Sequence, residues 1–257
     1  MADRSAIEWT ETTWNPVTGC TKISPGCAHC YIERTIPFRM KGRRFVKGTT
    51  GVLLHEDRLG QPLRWREPRL VFVNSLSDLF HDEIPDAFRE RVFDVMMATP
   101  QHTYQVLTKR PEEARSFLTK YYDHETPWGS WTEEPLPNVW LGVSVESSRY
   151  TWRVDVLRET PAAVRFISAE PLLGSLFSTS HKLRPLELER IDWLIAGGES
   201  GPGYRTVSLE WLRELRDACE RESVAFFFKQ WGGKTAKSGG RDLDERIHDD
   251  MPAVSTG

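Results

Sequence analysis

The stretch Leu70-Val71-Phe72-Val73-Asn74-Ser75-Leu76-Ser77-Asp78 decides the fold, because its form returns along the rest of the chain. An apolar run rich in β-branched and aromatic residues ends in a polar tip, and apolar residues at helical spacing follow from Asp86 to Ala98. The same order recurs at Tyr104-Gln105-Val106-Leu107, Val139-Trp140-Leu141-Gly142-Val143, Val164-Arg165-Phe166-Ile167, Trp193-Leu194-Ile195-Ala196 and Val224-Ala225-Phe226-Phe227-Phe228. Helices are expected over Glu112 to Tyr122, Tyr150 to Glu159 and Leu209 to Glu222, the last with Ser208 as N-cap. The runs start roughly 25–35 residues apart, the length of a βαβ unit. Near-continuous apolar strands alternating with amphipathic helices imply a parallel sheet covered by helices. With a first strand expected around Ile7 to Trp14, the pattern predicts an α/β fold: a complete or partial (β/α) TIM-like barrel with a cysteine loop directly after the first strand.

The tips of the later runs are small, hydroxylic or charged: Thr108-Lys109-Arg110-Pro111, Ser144-Val145-Glu146-Ser147, Ser168-Ala169-Glu170-Pro171, Gly197-Gly198-Glu199-Ser200-Gly201 and Lys229-Gln230-Trp231-Gly232-Gly233. Taken singly, such residues are ordinary turn and cap formers. In a barrel, however, the C-terminal strand ends converge on one rim, so tips in register predict a polar site there. Residues 41–69 and Ser130 to Asn138 break the pattern with Gly, Pro and Trp and read as rim loops. Residues 1–233 are expected to form one barrel domain with a cluster loop at 19–31 and a rim insertion at 41–69, and residues 234–257 a C-terminal arm or loose tail.

Three of the four cysteines stand together as Cys20, Cys27 and Cys30, in a C-x6-C-x2-C arrangement. Three thiolates on one loop can hold three corners of a [4Fe–4S] cluster and leave the fourth iron open for a ligand that is not protein. Gly19, Pro25 and Gly26 supply the bends. Two other readings use the same residues. Structural Zn would need a fourth ligand, for which His29 and His81 are candidates, and Cys27-x-x-Cys30 alone could be a thiol redox pair. Cys219 falls at helical spacing with Leu212 and Leu215 and reads as core.

The 257 residues carry 34 Lys+Arg against 37 Asp+Glu, a formal charge of −3, and are 39% hydrophobic. A core of good size is affordable, which excludes a wholly disordered chain. The N-terminus has no apolar run of signal-peptide length and no segment of about 18 uninterrupted apolar residues occurs, so no membrane association and a cytoplasmic location are expected. The near-neutral total hides a basic stretch. Between Glu33 and Glu56 there is no acidic residue, while Arg34, Arg39, Lys41, Arg43, Arg44 and Lys47 are interleaved with Phe38 and Phe45. Cations tracking phosphates and aromatics stacking bases suit a nucleic acid or nucleotide, so Arg39, Lys41, Arg43, Arg44 and Lys47 are candidate substrate-binding residues; a solvated loop is the plainer alternative.

The chain resembles a three-cysteine-motif family of phage and prophage proteins of unknown function (DUF5131 type) over nearly its whole length. The resemblance is carried by Thr13-Trp14-Asn15-Pro16-Val17-Thr18-Gly19-Cys20, Pro25-Gly26-Cys27-Ala28-His29-Cys30-Tyr31, Phe72 to His81, Gln105 to Pro111, Gly142 to Glu146, Ser168 to Gly174, Gly197 to Gly201 and Phe227 to Gly232. More distantly it is similar to the radical S-adenosylmethionine superfamily, which places three cysteines after the first barrel strand, although with a shorter first gap than the six residues here. That similarity implies an iron–sulfur enzyme with S-adenosyl-L-methionine as co-substrate, whose one-electron cleavage gives a 5′-deoxyadenosyl radical. It further implies acceptors for the ammonium and ribose of the co-substrate and a cation for its carboxylate. Ser75, Asp78, Lys109, Ser144, Glu146, Glu170, Gly197, Gly198, Glu199 and Arg205 are the candidates, with Glu146, Glu170 and Lys229 as candidate catalytic groups. The alternative is a non-catalytic binding protein, stapled by zinc or a cluster and acting with a partner protein.

Overall fold

A computed structural model describes residues 5–123, 134–178 and 184–252. Seven parallel strands form one sheet in chain order: β1 Thr12–Trp14, β2 Leu70–Val73, β3 Thr103–Thr108, β4 Val139–Ser144, β5 Val164–Ala169, β6 Trp193–Gly197 and β7 Ala225–Gln230. Four main helices cross over between them: α1 Asp86–Met97, α2 Pro111–Tyr122, α3 Trp152–Arg158 and α4 Leu209–Glu222. Strict sequential order with right-handed crossovers puts the helices on one face, and a sheet covered on one side only curls around its other face. The result is a half-barrel, the partial form of the expected (β/α) barrel.

Alternation along the strands sorts the two faces. Val71, Val73, Val106, Leu141, Val143, Ile167, Leu194 and Phe228 point out to the helices and join the larger core. Phe72, Trp140, Phe166, Trp193, Ile195 and Phe227 point into the concavity. Trp9 fills that concavity from the N-terminal segment, its ring 4.7 Å from Phe72 and 6.1 Å from Trp193. This is why the strand expected from Ile7 shortens to Thr12–Trp14: the residues before it turn inward as a plug.

Helix α4 matches its expected limits, with the Ser208 hydroxyl accepting from the Glu210 amide and Ser223 closing the helix in a left-handed conformation. The helix expected from Tyr150 begins instead with a 3-10 turn over Ser148–Tyr150 and becomes α-helical at Trp152. The tail is an ordered arm through residue 252. It runs antiparallel to β7, with the Phe228 amide donating to the His248 carbonyl at 2.8 Å and the Asp250 amide to the Phe226 carbonyl at 3.2 Å. It thereby covers backbone groups that an edge strand would leave unpaired. Part of the expected Ser130 to Asn138 loop, residues 130–133, lies outside the described residues. Among the described residues no helix is long and apolar enough to cross a membrane.

Candidate functional site

All seven strands end on one rim, and the three cysteines lie over it. The chain reaches them through Gly19, where φ is +106° and a Cβ would stand 1.7 Å from the Gly51 carbonyl oxygen, so only glycine fits. Cys20 is then held by the rim insertion: its amide donates to Thr50 Oγ1 at 2.9 Å and its carbonyl accepts from the Thr50 amide at 3.0 Å. Arg43 locks this pairing. Its guanidinium donates to Thr18 Oγ1 at 3.0 Å and to the carbonyls of Thr18, Thr50 and Gly51 at 3.3, 3.2 and 2.6 Å, while lying over the buried Phe38 ring. Arg43, expected to bind substrate, therefore belongs to the scaffold of Cys20, and Phe38 is not presented for base stacking.

Two strand tips pin the turn Pro25–Cys27. Glu146, after β4, accepts from the Gly26 amide at 3.3 Å and pairs with Arg153 of α3 at 2.9 Å, both side chains 2% exposed. Glu199, after β6, accepts from His29 Nδ1 at 2.9 Å and from the Arg205 backbone and Nε at 2.9 Å, and Arg205 in turn donates to the Pro25 carbonyl at 3.0 Å. Burial alone would raise the Glu199 carboxyl, but the hydrogen bonds from Arg205 and His29 outweigh it and hold the group down at about 2. Glu146, Glu199 and Arg205 are thus spent on orienting the cysteine loop.

The thiols are free and half-buried. Burial, reinforced by Asp78, pushes Cys20 up to about 12, and the other two thiols add to the rise. Burial also raises Cys30. At Cys27 burial is overcome by the Lys109 ammonium and by hydrogen bonds at Ser24, and the thiol is lowered. The three therefore share one electrostatic neighbourhood. Among the described residues, however, no three His, Cys, Asp or Glu side chains are drawn together as a ready-made metal cage. Of the two candidate fourth ligands, His81 has both ring nitrogens engaged, Nε2 with Thr21 Oγ1 at 2.8 Å and Nδ1 accepting from the Glu83 amide at 3.2 Å. His29 has Nδ1 committed to Glu199.

The other expected positions divide into two groups. Asp78 is 6% exposed and accepts from the Phe80 amide, Thr108 Oγ1, the Lys109 amide and Arg110, clamping the β2 tip to the β3 tip. Its acceptor capacity is used, as a turn residue's would be. Ser75 is likewise committed, its hydroxyl to Asn15 Oδ1 at 3.2 Å and its carbonyl to the Tyr31 hydroxyl. Gly198 carries no binding group; a Cβ there would stand 2.0 Å from the Trp231 carbonyl oxygen. By contrast Ser144, Glu170, Gly197 and Lys229 share the concave face, where Glu170 and Lys229 form an ion pair of 2.7 Å across β6. Gly197 between them makes room, since a Cβ would come within 3.3 Å of Glu170 Oε1. The Lys109 side chain makes no hydrogen bond among the described residues and faces Cys27 and Cys30. Arg39, Lys41, Arg44 and Lys47 are exposed.

Arg153, Thr50 and Ser168 were not among the expected site residues. Arg153 had a readable signal: Tyr150, Arg153, Val154 and Leu157 fall at helical spacing, so an arginine interrupts the buried stripe of α3. Nothing local marks Thr50, whose partner is 30 residues away.

The fold and the loop together define a parallel half-barrel protein with a three-cysteine loop over its C-terminal rim. Residues 4–252 match the family described as Protein of unknown function (DUF5131), and the chain belongs to it. Curated proteins and solved structures yield no match.

Proposed function

We propose that the protein is a radical S-adenosylmethionine-type iron–sulfur enzyme acting on a nucleic acid or nucleotide substrate. The observation that carries this reading is the position of three thiols at the mouth of a parallel half-barrel, with the Lys109 side chain facing Cys27 and Cys30 and making no hydrogen bond among the described residues. The donor chemistry suits a [4Fe–4S] cluster held by Cys20, Cys27 and Cys30: three thiols are offered on one loop, and of the two histidines that could complete a zinc site, His81 has both ring nitrogens engaged, while His29 uses Nδ1 on Glu199. Such a cluster, once reduced by an external one-electron donor, would supply one electron to S-adenosyl-L-methionine and so yield methionine and a 5′-deoxyadenosyl radical. Lys109 is the cation suited to the co-substrate carboxylate, because Arg205 is already bound to Glu199. Glu146 and Arg205 act as positioning residues that fix the Pro25–Cys27 turn.

Anaerobic reconstitution with iron and sulfide tests the reading. The wild-type chain is expected to take up about four irons per chain, the composition of this cluster type, with Cys30→Ala falling to background. Stoichiometric zinc with no iron would end it in favour of the stapled, partner-dependent alternative.

Phosphate chemistry rests on the exposed Arg39, Lys41, Arg44 and Lys47, whose side chains pair with no acidic residue among those described. Replacing all four by Gln is expected to weaken single-stranded oligonucleotide binding and to flatten the dependence of log K on log salt by up to about 0.7 per lost phosphate contact. Arg43→Gln should instead lower stability and cluster uptake. An unchanged salt slope in the fourfold variant would remove this segment from substrate binding.

A further inference from the structure

Single exposed apolar side chains are common on protein surfaces, so the placement of exposed aromatic rings says more than their number. Three aromatic residues are exposed among those described: Tyr31 at 47%, Trp152 at 41% and Tyr204 at 38%. Two of them stand on the segments that frame the cysteine loop. Tyr31 directly follows Cys30 and opens the 3-10 turn Tyr31–Arg34, its hydroxyl donating to the Ser75 carbonyl of the β2 tip. A ring tethered at its hydroxyl keeps a fixed place while nearly half of the residue stays open to solvent. Tyr204 belongs to the turn after Glu199, its amide donating to the Gly201 carbonyl at 3.1 Å. It lies between Gly203, where a Cβ would come within 3.6 Å of the His29 ring, and Arg205, which donates to the Pro25 carbonyl.

Arg34 ties the two segments together. Residues three apart in a 3-10 turn eclipse one another, so Arg34 shares a side of its turn with Tyr31. Its guanidinium donates to the His29 carbonyl at 3.2 Å and to the Ser200 carbonyl at 3.5 Å. Gly201, at φ +112°, makes way for it, since a Cβ there would stand 2.2 Å from Arg34 Nη1. From Arg34 the chain runs on into the exposed Arg39, Lys41, Arg44 and Lys47. The aromatic residues inside that basic run offer no base a free ring: Phe38 is buried, and the Lys22 ammonium lies over Phe45, 4.4 Å from its ring centre. The rings open to a ligand beside the cations are therefore the two tyrosines.

We propose that Tyr31 and Tyr204 form a stacking platform for the unpaired bases of a single-stranded nucleic acid, with its phosphates on the basic segment. A base inside a duplex has both faces covered by its neighbours, whereas an unpaired base presents a π-face to an aromatic side chain. The proposal rests on the nucleic-acid reading above and deepens it, naming the class of nucleic acid and the residues that hold its bases. No bond is made or broken in this step.

Fluorescence anisotropy with a labelled oligothymidylate of about 15 nucleotides, near the upper range of single-strand site sizes, tests it on the full-length chain. The single strand is expected to bind at least about fivefold more tightly than an abasic strand of the same charge or a duplex of the same length. Tyr31→Ala and Tyr204→Ala should each weaken it by at least about fivefold, the lower end of what one stacked base contributes. Neither should change the slope of log K against log salt, because no phosphate contact is lost. Tyr31→Phe and Tyr204→Phe keep the ring and should bind as the wild type does, which a role confined to the Ser75 hydrogen bond would not allow. Thermal unfolding establishes that each variant is folded, and Tyr31→Leu, which keeps apolar bulk without a π-face, serves if Tyr31→Ala is not. Equal affinity for the abasic strand or the duplex, undiminished binding by either alanine variant, or absence of saturable binding by the wild type would overturn the proposal. So would polyglutamate competing as well as the oligonucleotide, which would assign the surface to an acidic protein. Iron uptake is read on separate samples: its loss with tyrosine-dependent binding intact ends the cluster reading and leaves the platform standing, and the reverse result ends the platform alone.

Discussion

Arg153→Met should lower the unfolding free energy by about 3–5 kcal/mol, the cost of removing one partner from a buried ion pair. Arg153 and Glu146 are each 2% exposed, and the guanidinium also donates to the Ser144 carbonyl at 2.8 Å and lies 4.4 Å over the Tyr150 ring. Methionine keeps much of the packing volume but leaves the Glu146 carboxylate buried with the Gly26 amide as its one donor among the described residues. Glu146→Gln in the same chain removes the stranded charge and keeps an acceptor for Gly26, so the double variant should recover most of the loss. Urea denaturation of the two single variants and the double variant measures the coupling. A loss below about 1 kcal/mol for Arg153→Met, typical of a surface pair, would show that the pair does not anchor the rim. Because Glu146 also holds the cysteine turn, reconstituted iron should fall with stability in the single variant and return in the double.

That pair also shows where sequence reading stops. The strands and helices were legible because each depends on local periodicity: α4 runs over Leu209–Glu222 as its apolar spacing and Ser208 cap require, and the apolar runs sit where the strands form. The place of Cys20, Cys27 and Cys30 over the rim follows from their position directly after the first strand. What the remaining charged residues do depends on contacts from distant parts of the chain. Arg43 sits in a basic run and reads as surface, yet its acceptors are backbone carbonyls of Thr18, Thr50 and Gly51, which no residue identity announces. Asp78, Glu146 and Glu199 read equally well as ligand acceptors, and only their filled hydrogen-bond capacity assigns them to scaffolding. Trp9 reads as a strand residue from its neighbours and becomes a plug because the open half-barrel needs its concave floor filled.

The division of labour among carboxylates follows from which face each tip residue occupies. Glu146 and Glu199 lie beyond the ends of their strands and turn toward the cysteine loop, whereas Glu170 stays over the concavity with Lys229. Two carboxylates of the rim pin the loop, and the third stays over the sheet in its ion pair. Loop-pinning variants should therefore disturb uptake of the proposed cluster, whereas Glu170 or Lys229 variants should leave the loop intact.

The second large effect is expected at the glycines that let these tips approach one another. Gly198→Ala would place a Cβ 2.0 Å from the Trp231 carbonyl oxygen, a backbone atom on the neighbouring tip that cannot rotate away. Separating the β6 and β7 tips breaks the bond of the Gly198 amide to the Gln230 carbonyl, 2.9 Å long, and displaces Glu199 from His29. A loss of about 4–5 kcal/mol or an insoluble protein is the expected outcome, in the range reserved for backbone strain and broken buried networks. Gly142→Ala differs in kind. Its Cβ would meet Phe166 ring atoms at 2.4–2.6 Å, and a side chain can be exchanged. Overpacking of this sort costs about 1–3 kcal/mol, and Phe166→Leu should relieve it, so that the double variant is more stable than the sum of the two single losses. Chemical denaturation distinguishes the cases: strict additivity at Gly142 and Phe166, or a soluble Gly198→Ala chain with unchanged midpoint and iron uptake, would contradict the close approach of the tips on which the site is built.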